Sequence, residues 1–100
     1  MARDITAAPN TFELLGNFPN PFNSSTEIRF SIAEPGYVRV VIYNARGQRV
    51  KTLLESDRES GEYLLRWNGT DDYSRSVSSG YYFCQIRAPG FAANRKMLLL

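Results

Sequence analysis

The 100-residue chain contains no histidine. That excludes His-dependent catalytic triads, imidazole-bound zinc and imidazole acid–base chemistry. It has one cysteine, Cys84, so no disulfide can form within it. Cys84 lies in YYFCQI, alternating with Tyr82 and Ile86. A reactive thiol wants a basic neighbour and exposure; this setting supplies neither, so Cys84 reads as a small buried hydrophobe. Lysine is scarce: Lys51 and Lys96 stand against ten arginines, many at alternating strand positions that suit a solvated face. The formal net charge of +2 is too weak for a nucleic-acid footprint. No apolar run approaches the roughly 20 residues of a membrane-spanning helix. Residues 1–8, MARDITAA, lack the apolar core of a signal peptide. An exported parent would carry its signal elsewhere, and this chain would be a fragment of it. No ten-residue stretch repeats its apolar residues at 3.6, so no helix beyond a single turn is expected.

What is present is alternation. The 43% hydrophobic and 22% charged composition is ordinary for one globular domain. Residues 1–10 read as a flexible leader or linker and 11–100 as the folded unit. FELL at 12–15 makes a short first strand. In TEIRFSI, Ile28, Phe30 and Ile32 face one way and Glu27, Arg29 and Ser31 the other. YVRVVIY points Val38, Val40 and Ile42 inward, after a turn at Glu34-Pro35-Gly36 where glycine takes a conformation closed to other residues. Asn44-Ala45-Arg46-Gly47 turns the chain into a third run, Gln48 to Leu54, with Val50 as its surest core residue. ESDRESG at 55–61 reads as a polar loop. EYLLRW then places Tyr63, Leu65 and Trp67 on one face, and residues 68–79 make a long turn. Tyr82, Cys84 and Ile86 point inward from residues 80–88, and Phe91 to Leu100 form a last strand after Ala88-Pro89-Gly90. About seven short strands at this spacing predict an all-β, antiparallel, Ig-like sandwich. Trp67 should centre the core with its indole N–H on a backbone carbonyl.

One stretch resists this pattern. NFPNPFN, residues 17–23, brackets Asn20 with Pro19 and Pro21, and the prolines with Phe18 and Phe22. Proline donates no ladder hydrogen bond, so a central strand is excluded. The expectation is an extended, polyproline-like crossing from one sheet to the other. Phe18 and Phe22 would plug the end of the core, and Asn20 would cap nearby backbone groups as an Asx turn.

The order of blocks resembles the C-terminal sorting domains of the type IX secretion system, type A, and the related Ig-like domain of the flagellar hook-capping protein. LLGNFPNPFNSSTEIRFSI is similar to the family's N-terminal signature. VRVVIYNARGQRVKTL is similar to its second block, SGEYLLRWNGTDD to its Trp-containing block with Trp67 and Gly69, SSGYYFCQI to its Ser-Gly-x-Tyr strand, and RKMLLL to its terminal strand. Together the blocks span nearly all of residues 12–100. Asn68 stands where the family commonly has Asp, and Ser74 where it has Gly. Ser74 therefore suggests a turn without positive φ, or one stabilised by Asx or Ser side chains. The chain also ends in an apolar LLL rather than on a lysine.

The resemblance implies sorting rather than chemistry. Family members end secreted proteins, pass the periplasm, are recognised by an outer-membrane translocon and in many cases are cut by a surface peptidase. The implied partners are that secretion machinery, the peptidase and an upstream cargo domain. The implied location is the outer surface of a Gram-negative bacterium, or its medium. Implied contact residues are Gly80 and Tyr82, matching Gly-x-Tyr, with Arg95 and Lys96 of the last strand. The plainer reading makes Gly80 a strand start and Tyr82 a core residue. No nucleophile–base pair is visible, so no enzyme and no cofactor are expected. Asp71-Asp72 falls far short of the 6–8 oxygens calcium needs. The sequons at Asn23 and Asn68 read as turns. Two rivals stay open: a carbohydrate platform of outward Tyr37, Tyr43, Tyr81 and Phe83, and a purely structural Ig-like spacer.

Overall fold

The computed structural model describes residues 12–100. The leader expected at 1–10 lies outside the described residues. Seven strands follow in order: β1 Glu13–Phe18, β2 Thr26–Ile32, β3 Gly36–Asn44, β4 Arg49–Arg58, β5 Gly61–Trp67, β6 Gly80–Ala88 and β7 Phe91–Leu99. They form a three-stranded sheet, β1-β2-β5, and a four-stranded sheet, β4-β3-β6-β7, with every ladder antiparallel. No helix occurs among the described residues. The expected Ig-like sandwich is the fold.

Alternation fixes the core. Ile28, Phe30 and Ile32 of β2 meet Val38, Val40 and Ile42 of β3, with Cys84 and Ile86 of β6 and Met97 of β7, all essentially without solvent exposure. Trp67 is fully buried and donates its indole N–H to the Thr70 carbonyl at 2.9 Å. Tyr82 packs edge-on against it at 5.1 Å and donates its hydroxyl hydrogen to the Ser78 carbonyl at 2.6 Å.

Several local expectations are corrected. Residues 55–58 are strand rather than loop, because Gly36 to Arg39 supply their ladder partners; pairing overrides polar composition. Val50 is only half-buried, beside a register shift, and Leu54 is the buried residue of β4. Leu65 is also half-buried, since β5 is an edge strand. Ser31 is buried although its neighbours Glu27 and Arg29 face solvent. Gly36 needs no special φ: a Cβ there would come within 2.5 Å of the Pro89 ring, so close approach selects glycine.

The NFPNPFN segment behaves differently from expectation. It does not cross between sheets, since β1 and β2 both belong to the three-stranded sheet. It reaches out to the four-stranded sheet and returns. Its path is not polyproline-like, for Phe18–Pro19 and Asn20–Pro21 are both cis. Thr26 donates its hydroxyl hydrogen to the Pro19 carbonyl at 2.8 Å, and the Asn17 side-chain amide donates to the Thr26 oxygen at 3.1 Å. Phe22 is buried against Trp67 at 5.5 Å, whereas Phe18 is 80% exposed and plugs nothing.

Asn20 makes no local Asx turn. Its carboxamide spans to β7, donating to the Lys96 carbonyl at 3.3 Å and accepting from the Leu98 N–H at 3.1 Å. Phe22 continues the pattern with its own backbone. Its N–H donates to the Leu98 carbonyl at 2.9 Å, and its carbonyl accepts from the Leu100 N–H at 2.9 Å. The chain upstream follows the same line: Phe12 stacks on Phe91 at 5.3 Å, and the Leu14 carbonyl accepts from the Arg95 guanidinium at 2.9 Å. Residues 12–22 thus run beside β7 in the same direction, from Phe91 to Leu100.

The opposite edge of the four-stranded sheet has a smaller version of this device. Asp72 donates its N–H to the Val50 carbonyl at 2.9 Å and accepts from the Thr52 N–H at 3.0 Å. The 68–79 turn is held by its own contacts: Val77 N–H donates to the Gly69 carbonyl at 3.0 Å. Asp71 accepts from the N–H groups of Tyr73 and Arg75 at 2.9 and 3.0 Å and from the Arg75 guanidinium at 3.0 Å. Between them Ser74 takes a φ of 64°. A turn without positive φ is therefore excluded, and the Asx-stabilised alternative is the observed one. Both carboxylates are committed to backbone and arginine.

Three outcomes follow from this packing. Trp67→Ala should cost about 3–5 kcal/mol in denaturant unfolding, a large share of the roughly 5–15 kcal/mol of such a domain; an unchanged midpoint would remove Trp67 from the core. Asn20→Ala should cost about 1–2 kcal/mol by losing two backbone contacts, while Phe18→Ala stays within about 0.5 kcal/mol as a surface change. Equal effects in the same unfolding experiment would contradict the division of labour. The Asp71 carboxyl is held below its ordinary 3.8, first by the Arg75 N–H, with the Tyr73 N–H and the Arg75 side chain adding to it. A depressed carboxylate pKa stabilises above the unfolded value and ceases to do so as pH falls through the folded one. The Tyr73 and Arg75 amide resonances should therefore titrate with a midpoint below 3.8; a midpoint above it would mean those bonds do not favour the anion.

Candidate functional site

With its outer backbone edge occupied from Lys96 to Leu100, β7 presents side chains. Adjacent strand residues point to opposite faces. Met97 and Leu99 go to the core, and Asn94, Lys96 and Leu98 go outward. Register places Phe83 opposite Lys96, Tyr81 opposite Leu98 and Gln85 opposite Asn94. On the other side of β6, Tyr43 of β3 lies opposite Phe83. The outer face of β3, β6 and β7 therefore joins Tyr43, Phe83, Tyr81 and Leu98 into one aromatic and aliphatic area. Tyr81 is exposed, and the other three are half-buried. The Lys96 ammonium sits 4.9 Å from the Tyr81 ring centroid, a cation–π contact. A shallow groove beside this area is lined by Tyr43, Asn44, Phe83, Gln85, Arg87 and Asn94.

The charge on this face has one sign. Neither β6, GYYFCQIRA, nor β7, FAANRKMLL, contains an acidic residue. Arg87 leans on Gln85 at 3.4 Å. Neither Arg87 nor Lys96 pairs with a carboxylate of the described residues. Arg39, directly opposite Arg87 on β3, is paired with Glu55 at 2.9 Å. Across the molecule, the outer face of the three-stranded sheet sets Glu27 directly opposite Arg66, so its charges alternate.

The four contact residues expected from the sequence do not form one site. Lys96 alone lies on the outer face. Tyr82 is 5% exposed and belongs to the core, so it supports the face from beneath. Arg95 points the other way along β7 and clamps it to β1 through the Leu14 carbonyl, over Gly16. Gly80 opens β6 at a φ of 146°, with nothing within 4 Å of a would-be Cβ, so conformation and not crowding selects glycine. Of the expected aromatic platform, Tyr43, Tyr81 and Phe83 are brought together. Tyr37 lies at the far end of β3, opposite Asp57, and does not join them. Leu98 and Arg87 complete the area and were not singled out, because their place depends on a strand order that the alternation leaves open. Cys84 is buried, and that burial pushes its thiol up to about 12, which keeps it protonated and inert at neutral pH.

Comparison with known proteins agrees with this architecture. Dimeric latent PorU from Porphyromonas gingivalis aligns over 94% of this chain at a TM-score of 0.66 and 25% identity, the shared part being 10% of PorU. FlgD from Xanthomonas campestris, whose structure concerns hook capping in flagellar assembly, aligns over 87% at a TM-score of 0.56. At 21% identity that second likeness is one of fold. The chain spans a tenth of PorU and 64% of FlgD. No curated protein matches it. The model of the FlgD Ig-like domain matches residues 20–89, from Asn20 to the turn before β7. The chain belongs to the FlgD Ig-like domain family.

Proposed function

We propose that this domain is a non-catalytic sorting module that directs a secreted bacterial protein through the type IX outer-membrane translocon. The observation that carries the reading is the alignment of nearly the whole chain with one tenth of a far longer protein. A unit of that kind serves a larger parent. The five sequence blocks that resemble the sorting domains support it. Each has a defined place in the fold, from the Asn-Pro-Phe clamp through Trp67 to the terminal strand. On this reading recognition is of a folded sandwich, and the terminal strand contributes side chains. The partners are the secretion machinery, a surface peptidase and the upstream cargo. The destination is the cell surface or medium by way of the periplasm.

A second reading has its own support. Membership of the FlgD Ig-like family fits a structural spacer of the hook-cap type equally in fold. The two differ in what happens when the domain is moved to another protein.

Fusing residues 11–100 to a periplasmic reporter, in a bacterium with a type IX system, should bring the reporter to the surface or medium. Deleting residues 95–100 should abolish export, but it also strips Asn20 and Phe22 of their partners. The cleaner variant is Lys96→Gln, which keeps the aliphatic stem and removes the charge. Its stability should stay within about 0.5 kcal/mol of the parent while export falls. A wild-type fusion held folded and intact in the periplasm would favour the spacer.

A further inference from the structure

The outer face of β3, β6 and β7 carries more than Lys96. We propose that this face, built from Tyr43, Phe83, Tyr81 and Leu98 and flanked by Lys96 and Arg87, is the docking surface for an acidic protein surface of the export machinery. The inference rests on the sorting reading and names the part of the domain that is read.

Three observations lead there. First, the usual route to an edge strand, addition of a further strand, is closed along the terminal half of β7. Asn20 and Phe22 already occupy the Lys96 carbonyl, both Leu98 backbone groups and the Leu100 N–H. Second, the β6–β7 half of this face differs in charge from its surroundings, including the neighbouring β3–β4 half, where Arg39 is paired with Glu55. Opposite signs sit in register on the three-stranded sheet, as at Glu27 and Arg66. The β6–β7 half of the other sheet has cations and no acid. A one-signed face steers and selects a partner of the other sign. Third, the apolar and charged parts touch. The Lys96 ammonium rests over the Tyr81 ring, so docking desolvates both together, which strengthens a cation–π contact, and aromatic residues are what interface centres favour.

The same contact separates a protein partner from a glycan. A sugar stacks flat on an open ring. Here the Lys96 ammonium already sits over the exposed Tyr81 ring, and Tyr43 and Phe83 are only half-exposed. The exposed Tyr37 stands at the far end of β3. The most exposed ring of this area is the one already in contact with a cation.

The test compares two double variants of the reporter fusion. Arg87→Gln with Lys96→Gln neutralises this face, and Arg29→Gln with Arg66→Gln removes the same charge from the opposite one. Circular dichroism and thermal melts verify that both fold. The first should lower export about tenfold or more, as loss of complementary charge at a docking centre does, and the second should leave it near the parent level. Export unchanged in the first, or lowered equally in both, overturns the inference while the sorting reading stands. A wild-type fusion that is not exported removes the sorting reading, and the docking surface with it. Two side measurements report other occupants. A wild-type dimer in sedimentation that the first variant dissociates, with export intact, would give the face to a second copy of the chain. Retention on a polygalacturonate matrix lost in the first variant, with export intact, would give it to an anionic glycan. Either result contradicts the proposal.

Discussion

The last strand of a sheet carries a row of unpaired N–H and C=O groups, and β7 meets that problem at the end of the domain. Its solution is a single asparagine followed by a single backbone residue. The Asn20 carboxamide has the donor and acceptor of a peptide group and uses them as one, on Lys96 and Leu98. Phe22 then supplies its own backbone N–H to Leu98 and its own carbonyl to Leu100. The prolines on either side have no N–H of their own to satisfy. Phe22 carries the contact inward, because its ring packs on Trp67, which packs on Tyr82. Edge and core are therefore joined through three aromatic rings. Asp72 does the same for β4 with a carboxylate, so the four-stranded sheet is guarded at both edges.

That closure shapes what the domain can offer a partner. A free β7 edge would invite strand addition by any extended chain. A guarded one leaves recognition to side chains, which carry identity and charge. The outward residues of β6 and β7 then matter in combination, because register sets Lys96 beside Phe83 and Leu98 beside Tyr81. Arg95, one residue from Lys96, serves the opposite purpose by tying β7 to β1. Neighbouring cations in sequence are thus divided between holding the fold and facing outward, as strand geometry requires.

The architecture was largely legible in the sequence because alternation reports burial directly. Ile28, Phe30, Val40, Ile42, Trp67, Tyr82, Cys84 and Ile86 are all buried as their spacing indicates. What escaped was whatever depends on partners distant in the chain. The strand character of Glu55 to Arg58 comes from β3, not from their own polar composition. The reach of Asn20 to β7 spans more than seventy residues, so a local Asx turn was the natural but mistaken reading. Phe18 and Phe22 look equivalent around the prolines, yet only the one that returns toward β7 enters the core. The candidate surface was half legible: its aromatics alternate outward, but which of them are neighbours follows from the order β3-β6-β7.

Native-state hydrogen exchange tests the edge clamp most directly. The amide hydrogens of Phe22, Leu98 and Leu100 are donated within it, to the Leu98 carbonyl, the Asn20 side chain and the Phe22 carbonyl. If residues 12–22 and β7 form one unit, these three amides should be protected. Their opening free energies should converge with that of the core as denaturant is added. Leu98 and Leu100 exchanging as freely as solvent-exposed loop amides, while Met97 stays protected, would show that the clamp does not hold the edge.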